Sequence, residues 1–423
     1  MIKKNISRLR KSEYFGNLSV QLIGTLIAQL IPILISPILS RLYKKESFAV
    51  LALFMAIVGV LSVPNAGRYH IAIVKPEEDK EAESLYQISI LSTFLYNILL
   101  LVLIIILYPF LNSYYALNNL WYIIPFAVFV FGIYNTGLFY SVRYKKFRKN
   151  AKAKIYQTVV TSLVSVLIVY TAFSFYGLVV GKVLGVLVSA IVLFRLFDLK
   201  VNFQELKQVA NKYIEYPKLT IIPTLMNIFS LQALVLYVGM YFDDITLGYL
   251  ALTNMILVAP SALIGMSYRD VFYQKITEIY NLKQFNKAKK FFLYSALGLF
   301  VIAFILCIIL YFLGEFLFSF VYGNQWVLSG KYASILVFAA AIKLIVSPLS
   351  IVLNTTNKLK WLSSWQISYF ITLNLTLYLS IIEMGLDVVS VFKIYILHEI
   401  VSYTIYFLLQ YKSISTRKNE GYI

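Results

Sequence analysis

Residues 331–353 read KYASILVFAAAIKLIVSPLSIVL, an apolar run interrupted near its middle by Lys343. A helix needs only about 20 apolar residues to cross the hydrocarbon core of a bilayer. The stretch therefore reads as a membrane span with an ammonium group near its centre. A charge at that depth is costly, faces protein or water rather than lipid, and is by default a functional candidate. The whole chain shares this character. Of its 423 residues 60% are hydrophobic and 13% charged, with a mean hydropathy of +0.77, well above the roughly 45–50% apolar usage of soluble domains.

Working outward from that stretch, eleven further spans are expected at 16–40, 47–66, 84–109, 119–141, 155–173, 177–197, 219–241, 246–268, 290–318, 361–382 and 388–411. The fold class is thus an all-α integral membrane protein of twelve transmembrane helices, and the short connections leave no room for a soluble domain. The apolar run from Gly16 to Ser40 is too long for the core of a signal peptide and ends in Arg41 without a small-residue cleavage site, so it is read as span 1. Cys307 is the sole cysteine, which excludes an intramolecular disulfide and a cysteine-rich metal site. No cofactor is implied.

The basic residues set the orientation. Counted to the edges of the spans, 31 of the 38 Lys and Arg residues fall in the N-terminal segment, the even-numbered connections and the C-terminal tail. The odd-numbered connections hold only Arg41, Lys44, Lys45 and Lys331. By the positive-inside rule both termini are cytoplasmic. The run Arg143-Tyr-Lys-Lys-Phe-Arg-Lys149 with Lys152 and Lys154 then needs no nucleic-acid partner, because anionic lipid attracts such segments by about 1 kcal/mol per residue. The net charge of +19 reads mostly as orientation.

Two six-span halves are expected, residues 1–209 and 210–423, joined by a cytoplasmic linker helix at about 198–216. In that linker Phe203, Leu206, Val209 and Tyr213 recur at helical spacing between Glu205, Lys207 and Lys212, the pattern of an amphipathic helix on the membrane face. Weak similarity links the halves. Phe48-Ala-Val-Leu-Ala-Leu53 opens span 2 as Leu247-Gly-Tyr-Leu-Ala-Leu252 opens span 8. Pro64 and Pro260 are expected to end those spans, and Arg68 and Arg269 follow. Parallel repeats of this kind enclose a central cavity about which the halves can rock. Pro32 and Pro37 in span 1, Pro223 in span 7, Pro125 in span 4 and Pro348 in span 10 favour kinks. They mark either a transport pathway or ordinary tolerated prolines. Gly177, Gly181 and Gly185 recur every four residues in span 6 and offer a smooth face for close packing.

Lys182 and Lys393 are each the sixth residue of spans 6 and 12, equivalent by the repeat and about 8 Å below the outer surface. Snorkelling to the interface and a cavity role are both open for these two, whereas Lys343 is too central for comfortable snorkelling. His398 and Glu399 lie deeper in span 12, where Glu399 either neutralises a lysine or joins His398 in carrying protons. Arg68 and Arg269 sit at the cytoplasmic edge, where anchoring and capture of an anion compete. Arg41 joins them as a further basic candidate. The 34 Tyr and 31 Phe residues supply interface belts or stacking faces for a ligand.

The residues Ile33-Leu-Ile-Ser-Pro-Ile-Leu-Ser-Arg-Leu-Tyr43, Phe48–Leu53 and Arg68-Tyr-His-Ile-Ala-Ile-Val-Lys-Pro-Glu-Glu-Asp-Lys-Glu-Ala82 closely resemble the opening of the polysaccharide-transporter family. That family lies within the multidrug/oligosaccharidyl-lipid/polysaccharide exporter superfamily and contains the Wzx-type O-antigen and capsule flippases. Tyr216-Pro-Lys-Leu, Gly248-Tyr with Pro260, and Val271-Phe-Tyr-Gln274 resemble its second-half landmarks. His70 departs from the pattern, standing where the family's Arg-Tyr-Glu motif has its glutamate. The resemblance implies a MATE-like fold in the bacterial cytoplasmic membrane and a flippase that moves undecaprenyl-diphosphate-linked oligosaccharide to the outer leaflet. It implies no enzymatic activity, and it makes polysaccharide polymerase machinery a candidate partner. A diphosphate suits Lys182, Lys343, Lys393, Arg41, Arg68 and Arg269 as a cationic substrate-binding set.

Two other classes are weighed. A membrane glycosyltransferase or polymerase needs catalytic groups on a substantial outer loop, and the outer connections are short. A drug or cation antiporter of the same fold needs a carboxylate deep in the first half, and spans 1–6 contain no internal Asp or Glu. The expected topology is directly measurable. With Cys307 replaced by Ser, a cysteine at Gly323 should react with a membrane-impermeant maleimide in intact cells, and one at Lys149 only after permeabilisation. The opposite labelling pattern would invert the orientation.

Overall fold

The computed structural model describes residues 23–114, 117, 119–195 and 202–414, apart from the side chains of residues 114, 262, 266, 267 and 270. Among these residues every regular element is helical. Within the described residues ten helices are long and apolar enough to cross a membrane, and an eleventh span is formed if the bent pair Lys45–Leu61 and Asn65–Ala72 is counted as one. The remaining helix of the expected twelve is α6 (Phe147–Ile168), which opens on Arg148, Lys149, Lys152 and Lys154 and so is less apolar. The molecule is a multi-pass membrane protein.

The helices fall into two compact units, residues 1–248 and 249–423. In the first, α1 (Ile23–Leu42) leads to α2 (Lys45–Leu61), a short α3 (Tyr69–Ala72), α4 (Asp79–Tyr114), α5 (Leu120–Arg143), α6, α7 (Gly177–Leu193), α8 (Phe203–Lys212), α9 (Glu215–Tyr241) and the first turn of α10 (Asp244–Pro260). Helix α4 packs on α5, α5 and α6 on α7, and α2 on α9. The second unit continues with α11 (Met266–Asn281), α12 (Phe285–Tyr322), α13 (Val327–Val346), α14 (Val352–Thr355), α15 (Leu359–Tyr378) and α16 (Val388–Ser413). Here α13 packs against both α12 and α16, and α15 against α16. Repeat equivalence is a relation of sequence rather than of contact, and the boundary near residue 209 stands as a proposal.

Several boundaries differ from the expected ones. At 36 and 38 residues, α4 and α12 are about 54 and 57 Å long, well beyond the ~30 Å core, so their ends project into the aqueous phases. Pro109 lies inside α4 rather than ending it. Pro260 does not end span 8 either. A π turn at Ser261–Gly265 absorbs the proline and the chain stays helical to Asn281. Pro64, by contrast, precedes a true break in which Ala66, Gly67 and Arg68 adopt positive φ values of 56°, 53° and 61° and the helix axis bends by 53°. Left-handed backbone costs a non-glycine residue about 1–2 kcal/mol. Buried Asn65 holds it in place by accepting from the Ala66 N–H at 3.0 Å and donating to the Val128 carbonyl at 2.5 Å.

The linker also departs from expectation. Residues 198–201 lie outside the described set, and α8 begins at Phe203 with the Asn202 side chain accepting from the N–H groups of Gln204 and Glu205. Leu206, Val209 and Tyr213 are spent not on lipid but on a protein core formed with Tyr69, Ile73, Leu85 and Tyr86. Phe203 alone is left 76% exposed. Glu205 and Lys212 reach back to Lys80 (3.2 Å) and Glu81 on α4, and the hydrogen bond it donates to Glu81 holds the Lys212 ammonium above its usual pKa. Water screens exposed pairs like these, so it is the apolar face that fixes α8.

The glycine face of α7 packs as its spacing predicts. A Cβ on Gly181 would lie 2.3 Å from Ser165 Oγ, and one on Gly185 would lie 2.0 Å from Thr161 Oγ1 and 2.5 Å from the Gln157 carbonyl. Gly185→Ala should therefore force α6 and α7 apart at a cost of about 1–3 kcal/mol, lowering the melting temperature of the purified protein. Gly298→Ala on α12, with nothing within 4 Å, is the matched control and should not destabilise. Equal effects at the two sites would show that the glycine face does not set the α6–α7 distance.

Candidate functional site

The second unit encloses a charged cluster on α13, α15 and α16. Pro348 lacks the N–H that would extend α13, so the helix ends at Val346 and Lys343 lies in its last turn, where a cation is favoured by the helix dipole. On α16, Tyr395, Glu399, Tyr403 and Tyr406 recur at intervals of three and four and share one face. Asp387 caps the start of that helix by accepting from the N–H groups of Val389 and Ser390. From α15 come Trp365, Tyr369 and Thr372.

Lys343 and Glu399 form an ion pair at 3.2 Å, with Glu399 fully buried and the Lys343 side chain 22% exposed. The ammonium also donates to the Tyr395 hydroxyl at 2.7 Å and lies over the rings of Tyr395 and Tyr403, 5.2 and 5.8 Å from their centroids. The Tyr369 hydroxyl donates to Glu399 Oε1 at 2.7 Å. Trp365 stacks between Tyr369 (5.0 Å) and Tyr406 (3.8 Å) and donates to the Ser402 carbonyl at 3.1 Å. The tyrosines are thereby held in fixed rotamers around the pair. His398 is half-buried, its Nε2 within 2.9 Å of Thr372 Oγ1 and 3.3 Å of Ser402 Oγ.

Desolvating two ions costs several kcal/mol each, offset here by their attraction and by the two tyrosine hydroxyls. Of the two roles open to Glu399, the geometry supplies neutralisation of a lysine directly. The pair carries no net charge, so Lys343 offers a whole positive charge to a ligand only when the carboxylate is displaced or protonated. The sequence reading picked out Lys343, His398 and Glu399 but missed Trp365, Tyr369, Tyr395 and Tyr403. The spacing of the α16 residues was visible in the chain, whereas nothing local indicates that Tyr369 turns toward them.

The other candidates are dispersed. Lys393 is exposed, about 160° round α16 from Tyr395, and takes no part in the cluster. Lys182 is half-buried on α7 with no hydrogen bond or ion pair among the described residues. Arg41 is exposed and donates to the Pro37 carbonyl of its own helix at 2.8 Å. Arg269 is exposed on α11. Arg68 is held more firmly. The left-handed turn directs its guanidinium to Thr220 and Thr224 of α9, at 3.3 and 3.2 Å, one helical turn apart and flanking Pro223. His70 is buried edge-on to Phe139, 5.4 Å between centroids, so the residue in the family's glutamate position packs within the protein here.

Residues 38–330 match a family described as polysaccharide biosynthesis protein. No curated protein matches the chain significantly. Among solved structures, the chain is similar to an inward-facing multidrug resistance MATE family transporter of the MOP superfamily, at 14% identity and a TM-score of 0.68 over 94% of this chain and 97% of that one. It is similar also to the lipid II flippase MurJ in an inward closed conformation, at 13% identity and a TM-score of 0.72 over 94% and 87% of the two chains. A third is a MOP superfamily transporter from Pyrococcus furiosus, at 12% identity and a TM-score of 0.63 over 94% and 95%. At such identities what is shared is the all-helical fold.

The ion pair generates a prediction about stability. Lys343→Met leaves Glu399 buried and uncompensated, which should cost about 3–5 kcal/mol, measured as a fall in the unfolding midpoint in detergent. Lys343→Met combined with Glu399→Gln should recover most of that loss. Because protonation relieves a stranded carboxylate, the single variant should lose less near pH 5 than near pH 8. A double variant no more stable than the single one would refute the coupling.

Proposed function

The chain belongs to the polysaccharide biosynthesis protein family, and from that premise we propose that it is a flippase that carries a polyprenyl-diphosphate-linked oligosaccharide from the inner to the outer leaflet by alternating access. The observation that carries this reading is the intramembrane ammonium of Lys343, held among tyrosines and partly open. A diphosphate is the part of such a lipid that cannot cross hydrocarbon unaided, and Lys and Arg are the side chains that match it. The isoprenoid tail can stay in lipid throughout. Arg68, fixed by two threonines, is proposed as a second phosphate contact, with Arg41, Arg269, Lys182 and Lys393 as further basic candidates. Undecaprenyl diphosphate as the carrier, O-antigen or capsule repeats as the glycan, and polymerase machinery as a partner belong to the same proposal. Moving negative charge outward across an inside-negative membrane gains about 2.3 kcal/mol per charge per 100 mV, so the potential can drive part of the step.

A cation or drug antiporter is the competing reading. Among residues 23–193 the acidic side chains are Glu46 and those between Glu77 and Glu83, at or before the starts of α2 and α4 rather than deep in a span. That placement supports an anionic substrate over a cationic one.

The test is flipping in proteoliposomes by a fluorescent polyprenyl-diphosphate oligosaccharide. The protein should accelerate its appearance in the opposite leaflet and leave a zwitterionic phospholipid unaffected. Lys343→Ala with Glu399→Gln, which removes both charges together, should slow flipping about tenfold or more, and Lys343→Arg should retain more of the rate because charge rather than shape is required. Equal acceleration of the two lipids, or full activity in the charge-free variant, would refute the proposal.

A further inference from the structure

We propose that Glu399 is a proton site occupied together with the substrate, so that binding of the lipid diphosphate at Lys343 takes up one proton. The inference deepens the flippase reading and rests on it. Glu399 is fully buried, and the cation that balances it is the Lys343 ammonium at 3.2 Å. An ammonium has three donors, and this one already serves Tyr395 at 2.7 Å as well as the carboxylate. A diphosphate that approaches the open side of Lys343 makes two anions share one cation, and like charges at such a site disfavour double ionisation. Of the two, the carboxylate is by far the weaker acid, so the proton goes to Glu399.

The step balances simply. The Glu399 carboxylate and one proton from water become a carboxylic acid, the Lys343 ammonium keeps its charge and turns to the diphosphate, and no electrons move. The cluster can already accommodate the neutral form. Tyr369 continues to donate to Oε1, and the Tyr395 oxygen, freed from the ammonium, becomes an acceptor for the new O–H one helical turn away. With a doubly charged diphosphate diester bound, the site then carries one net negative charge rather than two.

The groups facing Glu399 are Lys343 from α13, Tyr369 from α15, and Tyr395, His398 and Tyr403 from α16 itself. Residues 348–351 and α14, which also pack on α16, carry no titratable side chain. Glu383, on the turn at 379–383, accepts from Tyr378 at 3.0 Å instead. His398 is therefore the one rival proton site in the cluster, and it has hydroxyl partners of its own.

The test uses the full chain in lipid nanodiscs and, as probe, a polyprenyl-diphosphate N-acetylglucosamine, a diester that does not titrate near neutrality. Calorimetry in buffers of different ionisation enthalpy should show about one proton taken up per lipid bound. By linkage the Kd should rise with pH, by at most about tenfold per unit. Glu399→Gln should bind without proton uptake and with a flat pH profile, whereas His398→Gln should keep the uptake. Binding by the wild-type protein with no proton uptake would overturn the inference alone. Uptake that survives in Glu399→Gln and is lost in His398→Gln would overturn the assignment to Glu399. Failure of the wild-type protein to bind the probe at any pH would overturn the flippase reading, and this inference with it.

Discussion

Within hydrocarbon an unpaired N–H or C=O has no water to turn to, so each span must satisfy its own backbone. That requirement makes the described chain helical throughout and leaves deviations only where something replaces the missing bond. Three such deviations follow or contain a proline. The left-handed turn at Asn65–Arg68 comes after Pro64, the π turn at Ser261–Gly265 after Pro260, and a 3-10 turn begins at Pro348. In the first, the Asn65 amide and the bond from the Gly67 N–H to the Pro64 carbonyl at 3.1 Å take over the helix's role. The first of these ends on Arg68, and the second is followed about one turn later by Arg269.

The same scarcity of partners governs the charges. In water, Lys343 and Glu399 would each be solvated and their attraction weak. In a nearly dry interior, each makes the other tolerable. This explains why aromatic hydroxyls surround the pair. Tyr369 and Tyr395 each present one polar group on an otherwise apolar ring, which satisfies the pair while adding no charge that would itself need balancing. Trp365 serves the cluster from behind by fixing Tyr369 and Tyr406 in place. Lys182, half-buried on α7, has no such partner among the described residues.

At the aqueous ends of the helices the balance is reversed. Arg143 pairs with Asp79 at 3.1 Å, Arg195 with Glu83 at 2.7 Å and Lys80 with Glu205 at 3.2 Å. Water screens all of them, and their individual contributions are small. Their net effect is to fasten basic loops and the linker helix to the projecting end of α4, where the apolar packing of Leu206, Val209 and Tyr213 supplies most of the attachment.

The sequence by itself determined the membrane class, most of the spans, the glycine face of α7, the intramembrane position of Lys343 and the family. All of these are recorded in residue type and spacing along one segment, because a span is selected by its preference for lipid over water. It did not reveal that Lys343 is neutralised by Glu399, that Tyr369 holds that carboxylate, that Arg68 turns to Thr220 and Thr224, or that Pro260 is absorbed without ending its helix. Each of these depends on which face of one helix meets which face of another. Lipid-facing and protein-facing positions in a membrane helix are both apolar, so hydrophobic periodicity is too weak to say which way a helix turns. That choice was made by side-chain packing and by the need of each buried polar group for a partner, both of which exist only in the assembled fold.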